Sequence, residues 1–290
     1  MASPPPSFWE GVRLLLHRDE AANLLACEAI GRTAAHPRSC PDLFLSPRQL
    51  APFVRLVCEA SPALASEACR AIARLAQRSR LLQDNLAATG LLPALVRLLH
   101  TSLSQATLLS CLHRVDKQEA GLLCAACDAI CCLSGSNATN QRRLLDAAVV
   151  PPLVQLLREG MSRDLRLSAL ATLMCVAGSS EQGRVAVREA SCFKPIVIIL
   201  HAGLALGGSD DAHEEQAVRM VEMSMSAVSL FVTNHPENQA AAREADCIAA
   251  VVGVLRTLHD AESEGPLVLR IQHRACDALL GLAEPSTAQR

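Results

Sequence analysis

Three groups of side chains in this 290-residue chain have the types and spacing to do chemistry. The first is Cys124-x-x-Cys127 with Cys131 and Cys132 close behind, which at first sight is a metal cluster. On a helix these thiols fall at i, i+3, i+7 and i+8, along about two turns of one face. Four ligands so strung do not converge on one tetrahedral ion unless others, such as His113, join them. Core packing is therefore the expected role, and no metal or other cofactor is expected. The second group is arginine. Arg32 and Arg74 stand 42 residues apart, with Arg70 one turn before Arg74, and Arg13, Arg55 and Arg97 recur at steps of 42. A guanidinium offers bidentate geometry to a carboxylate, so an acidic segment is the natural ligand. The competing expectation is a solvated helix face with local pairing, such as Glu28 with Arg32. The third group is acidic: Asp210, Asp211, Glu214 and Glu215, then Asp260, Glu262 and Glu264. These would steer a basic partner, unless they are only solvated loops. No glycine-rich phosphate loop, activated nucleophile or paired-carboxylate constellation stands out, and an enzyme is not expected.

The composition narrows the class further. Half of the residues are apolar, yet aromatics make up only 2% and Tyr is absent, so the core is aliphatic and suits close helix packing. Scarce aromatics also remove the stacking platforms that single-stranded nucleic acid needs, and a net charge of −2 does not favour a polyanion partner. The 13 cysteines are an odd number, mostly within apolar helical patterns, which reads as free thiols in the cytoplasm or nucleus. The first twenty residues have no basic region followed by a long apolar run, so no signal peptide is expected. No run reaches the roughly 18 apolar residues of a membrane span.

The elements that must position these groups are set by a repeated phrase, apolar–Val–x–apolar–apolar, centred on Val12, Val54, Val96, Val154, Val197 and Val252. Its steps are 42, 42, 58, 43 and 55 residues, a period that means a stacked solenoid. A second phrase at helical spacing begins at Ala29, Ala71, Ala129, Thr172, Ala227 and Ala278. From each of these to the next valine the distance is always 25, whereas from valine to its own small residue it runs from 17 to 33. One inserted residue rotates a helix by about 100°, so the constant stretch must be packed and the variable one a surface connection. His100, Arg158, His201 and Arg256, four residues after a valine, are expected at the negative ends of helices.

These phrases resemble armadillo repeats. The resemblance rests on Thr89-Gly90-Leu91-Leu92-Pro93-Ala94-Leu95-Val96-Arg97-Leu98-Leu99, on Asn140 with Asp146-Ala147, and on Asn238 with Glu244-Ala245-Asp246-Cys247-Ile248. It covers about residues 8–283 as six degenerate repeats, roughly 8–36, 41–77, 81–135, 138–178, 181–234 and 236–283. Insertions are expected at about 101–120, 202–216 and 258–266, between a disordered Pro-rich stretch at 1–7 and a tail at 284–290. The resemblance implies an all-α, right-handed α-solenoid with three helices per repeat and a concave groove lined by the last helix of each. Family members that clamp extended basic peptides carry Asn, and often Trp, on those helices. Here the Asn positions hold Arg32, Arg74, Cys132, Cys175, Leu230 and Gly281, and the Trp positions hold Glu28, Arg70, Asp128, Ala171, Ser226 and Asp277. Recognition of a basic peptide in that manner is therefore not expected. Arg32, Arg70 and Arg74 would line the groove, and Arg13, Arg55 and Arg97 would form a ladder on the convex side. The expected function is a non-enzymatic scaffold that binds protein partners through the groove and the insertion-bearing edge. The alternative is a chaperone cofactor or small-GTPase regulator on the same fold. The first repeat has no room for its leading helix and the last ends near Ala283, so end-to-end self-association is also expected of the exposed ends.

Overall fold

A computed structural model describes residues 7–36, 45–110, 117–204, 211–260 and 266–283. No strand occurs among them. The chain divides into two compact units, one up to Pro152 and one from Leu153. In the first unit α1 (Phe8–Leu14) and α2 (Glu20–Ala35) form one repeat, and α3 (Pro47–Leu50), α4 (Pro52–Glu59) and α5 (Pro62–Arg78) the next. A third follows as α6 (Arg80–Ala88), α7 (Leu91–Ser110) and α8 (Lys117–Ser134), then α9 (Ala138–Asp146). The boundary between units falls inside α10 (Val150–Gln155). The second unit holds α11 (Arg163–Ala177), then α12 (Glu181–Glu189), α13 (Phe193–Leu204) and α14 (Asp211–Val232), then α15 (Pro236–Glu244), α16 (Cys247–Asp260) and α17 (Pro266–Ala283). Within the first unit the long last helices α2, α5 and α8 pack side by side. Within the second, α11, α14 and α17 do the same.

The helices start where short polar side chains satisfy their first N–H groups. Asp19, Ser61, Ser79, Asn137, Ser162 and Ser180 cap α2, α5, α6, α9, α11 and α12 in this way. Ser7 and Glu10 form a reciprocal capping box on α1, and the Ser7 N–H, bonded to the Glu10 carboxylate, is the main reason that carboxyl titrates below its usual value. Ser7, expected within a disordered leader, is thus part of the fold. His235 caps α15 with Nδ1, which accepts the Asn238 N–H at 3.2 Å. Its Nε2 must then carry the proton, facing Glu181 Oε1 at 3.1 Å.

The repeated phrases mark the core. The six small residues, Ala29, Ala71, Ala129, Thr172, Ala227 and Ala278, are each at most 2% exposed, which lets neighbouring last helices approach closely. From the second repeat on, the residue before the valine is better sealed than the valine itself: Phe53, Leu95, Leu153, Ile196 and Val251 are fully buried while Val54 and Val252 are half-buried.

Six residues before the valine, the backbone turns the corner from first to second helix in the left-handed region. Gly90, Ala148, Ser191 and Asp246 all have positive φ, between 56° and 85°. The 5→2 and 6→1 bonds of a Schellman motif follow at two of them: Ala148 N to Leu145 O and Val149 N to Leu144 O, then Ser191 N to Arg188 O and Cys192 N to Val187 O.

The variable stretches are less loop-like than their lengths suggest. Helix α7 continues to Ser110 because Leu99, Ser102 and Leu103 keep a buried face at i, i+3, i+4. His100 is therefore in mid-helix, not at a helix end, whereas His201 does lie in the last turn of α13. Residues 202–216 and 258–266 are likewise shortened by α13, α14, α16 and α17. Residues 111–116, 205–210, 261–265 and 284–290 lie outside the described residues. No single helix among the described residues is long and apolar enough to cross a membrane.

Candidate partner-binding surface

The last helix of each repeat buries its small residue; the residues one before and three after it are four apart and so share an outer face beside the buried one. On the first unit this outer face carries Glu28 and Arg32 from α2, Arg70 and Arg74 from α5, and Asp128 and Cys132 from α8. Arg32 is exposed, and its Nε donates to the Glu28 carbonyl one turn back at 3.4 Å. Arg70, also exposed, forms an ion pair with Glu67. Arg74 reaches across from α5 to α2. A Cβ at Gly31 would stand 2.9 Å from Arg74 Nη1, so the glycine makes the notch in which this guanidinium rests, next to Arg32. The three arginines expected in the groove are therefore brought together on two adjacent helices, interspersed with Glu28 and Glu67. Beyond them the Gln77 amide donates to Cys132 Sγ at 3.2 Å.

The same positions on the second unit are small or apolar: Ala171, Cys175, Ser226, Leu230 and Gly281, with Asp277 the one acid. Leu230 folds over Gly178, where a Cβ would come within 2.2 Å of it. An ion pair not anticipated from sequence joins α14 to α17. Glu222, only 8% exposed, accepts from Arg270 at 2.5 Å.

The arginines at steps of 42 do not share one environment. Arg55 is half-buried and donates to the carbonyls of Leu15 and His17 at 3.0 and 2.8 Å, closing the end of the preceding repeat's middle helix. Arg97 is exposed and reaches back in the same sense to Cys58 Sγ at 3.7 Å. Arg13, with no described repeat before it, stays exposed beside Glu10. Two of the three thus tie one repeat to the last.

Of the acidic residues, Glu215 is exposed on α14. Asp211 and Glu214 lie in the first turn of α14 and Asp260 at the end of α16, described as backbone alone. Asp210, Glu262 and Glu264 fall outside the described residues.

Most of the described cysteines are buried or half-buried, whereas Cys58 and Cys276 are exposed. Burial pushes the thiols of Cys27, Cys69, Cys192 and Cys247 up to about 12. Cys127 is buried, and Cys124, Cys131 and Cys132 are half-buried along α8. Among the described residues no three His, Cys, Asp or Glu side chains come together to hold a metal ion.

Sequence reasoning missed a set of amide side chains that bond backbone carbonyls of neighbouring helices. Asn140 donates to Leu133 O at 2.9 Å and Gln83 O at 3.4 Å. Asn238 donates to Phe231 O at 2.9 Å and Arg184 O at 3.0 Å. Each therefore ties its first helix to the preceding last helix and to the first helix one repeat back. Gln83 and Gln239 reach forward instead, to Cys132 O and Gly281 O, both at 2.9 Å. The recurring Asn-Gln pair at 140–141 and 238–239 was the available signal.

No protein-family model and no curated protein matches the chain. Solved structures do. A designed armadillo repeat protein is similar over 95% of this chain and 100% of its own, with a TM-score of 0.68 at 19% identity. Another designed armadillo repeat protein, in complex with the peptide (KR)4, covers 96% of this chain and 100% of its own, with a TM-score of 0.67 at 20% identity. A structure from work on the interaction between cadherin and β-catenin matches 98% of this chain and 46% of its own, with a TM-score of 0.66 at 14% identity. The recurring helices of each unit, their corners in one register, and these neighbours agree: the chain has the armadillo-type α-solenoid fold.

Proposed function

We propose that this chain is a non-enzymatic interaction scaffold whose first unit captures an acidic segment of a partner protein. The observation that carries the reading is the meeting of Arg32, Arg70 and Arg74 on adjacent last helices, with Arg74 seated over Gly31. Guanidiniums in fixed, partly shared positions suit carboxylates better than mobile ammonium groups do. Glu28 and Glu67 beside them set register, while the arginines repel a uniformly basic ligand. One structural neighbour holds the basic peptide (KR)4; three arginines on this face favour the opposite charge. The sealed, free thiols suit the reducing cytoplasm or nucleus.

The test is fluorescence polarisation of the whole chain with a labelled peptide of alternating Asp and Glu, and with a Lys/Arg peptide as comparison. The acidic peptide is expected to bind and the basic one not. Arg32→Glu with Arg70→Glu, both at exposed positions, should weaken binding at least tenfold without changing the thermal melt. Charge reversal that leaves capture unchanged overturns the reading.

A further inference from the structure

The last repeat leaves open a face that the other five keep covered. Ile248 on α16 is 40% exposed, while Phe8, Leu50, Leu92, Val150 and Phe193 at the same register are at most 6% exposed. Cys276 on α17 is exposed where Cys27, Cys69, Cys127, Leu170 and Met225 are buried. With Cys276 run Leu269, His273 and Leu280, at i, i+4, i+7 and i+11, so one side of α17 presents a continuous stripe. Leu269 and Leu280 at its two ends are 66% and 64% exposed. The opposite end of the chain is treated differently. Glu10 stands on α1 at the register where Ala94, Pro152, Pro195 and Ala250 are buried, so the first repeat is closed by a charge and a capping box.

The geometry points to a homodimer formed by two copies of this chain packing α17 against α17, antiparallel, across a two-fold axis. The stripe is a palindrome of steps 4, 3 and 4. A two-fold that sets Leu269 on a second copy's Leu280 therefore also sets His273 on its Cys276, and every contact occurs twice, as an isologous interface requires. The charges agree with that direction. Arg270, His273 and Arg274 lie in the first part of the stripe's flank and Asp277 in the second. Within one chain Asp277 already lies 3.3 Å from His273 and 3.5 Å from Arg274. In the antiparallel pair each Asp277 comes beside the second copy's Gln272 and His273, where a parallel pair would set like against like. Head-to-tail stacking onto α1 is disfavoured, because it would bury the Glu10 carboxylate. The stripe is about 16 Å long, small beside the roughly 800 Å² per partner of a standard interface. Dissociation on the order of tens of micromolar is expected.

Sedimentation equilibrium of the whole chain in reducing buffer, from about 1 to 200 µM, tests this. The mass should rise from 30.9 kDa towards twice that value and stop there. Leu269→Lys and Leu280→Glu should each hold the protein monomeric with an unchanged melt, since both side chains are exposed. Together in one chain they should restore the dimer, because each new lysine then faces a new glutamate. A constant 30.9 kDa, a mass that keeps climbing past the dimer, or single variants that still dimerise would each overturn the proposal. Failure of the double variant to restore association would overturn the antiparallel register.

Discussion

At Ala148 the chain holds an ordinary L-residue at φ 58°, and Ser191 and Asp246 sit in the same corner at 56° and 63°. Only Gly90 meets that corner with the residue type it favours. A Cβ in the left-handed region costs roughly 1–2 kcal/mol, and three of the four corners bear that cost. Ala148→Gly is therefore expected to stabilise the protein by about 1 kcal/mol, read as a higher urea midpoint with an unchanged slope. A loss of stability would mean that the Ala148 methyl makes contacts that outweigh the strain. In the sequence the Gly90-Leu91-Leu92-Pro93 stretch carries the family pattern, and its glycine is the residue that such a corner favours. Its counterparts were not legible as corners, because Ala, Ser and Asp give no sign of positive φ until the backbone is seen. Arg55 was illegible for a different reason. Its acceptors, the carbonyls of Leu15 and His17, lie about forty residues away, and backbone oxygens have no sequence signature. Arg32 and Arg74 could be read as equivalent positions one repeat apart, with Arg70 one turn before, but Gly31 as the seat of Arg74 could not.

Among the elements, the short first helices contribute less by their own burial than by what they bond. Asn238 joins α15 to the end of α14 and to α12 through two carbonyls. Asn238→Ala removes both donors, one to the buried carbonyl of Phe231 and one to the part-buried carbonyl of Arg184. A cost of about 2–3 kcal/mol is expected. Hydrogen exchange should locate the damage at α12, α14 and α15, with α2 and α5 unchanged, because stability in a repeat stack is passed between neighbours. Uniform loss of protection along the chain would refute that local account. Helix existence was readable from period, because a 25-residue constant module leaves little freedom. Helix ends were not. The run of α7 past His100 depends on Ser102 and Leu103 finding a buried face, which composition alone does not decide.

Taken whole, the molecule carries sealed thiols in both units, and its composition makes their titration unusually easy to see. There is no Tyr, and lysine occurs only at Lys117 and Lys194, so apart from the other nine cysteines few side chains titrate between pH 8 and 11. Cys27, Cys69, Cys192 and Cys247 keep their protons to about 12 when folded, against an ordinary value of 9.0. Above pH 9 the unfolded chain binds fewer protons than the folded one, so stability falls as pH rises, until the folded thiols themselves ionise. At pH 10.5 the loss is about 2 kcal/mol per thiol. The melting temperature should drop steeply from pH 8.5 to 10.5, and less steeply in a Cys69→Ala, Cys192→Ala variant compared with its own value at pH 8.5. An equal drop in both proteins would show that these thiols are not the cause.

The constant spacing between a last helix and the next valine has a consequence for how such a chain can change. Packing fixes that stretch, and the amides of Asn140 and Asn238 pin it. New length is tolerated in one kind of place, ahead of a last helix, where α7 and α8 already flank an enlarged connection. A descendant of this protein can therefore gain a recognition segment at one repeat without renegotiating the fit of any other, and an engineer can do the same.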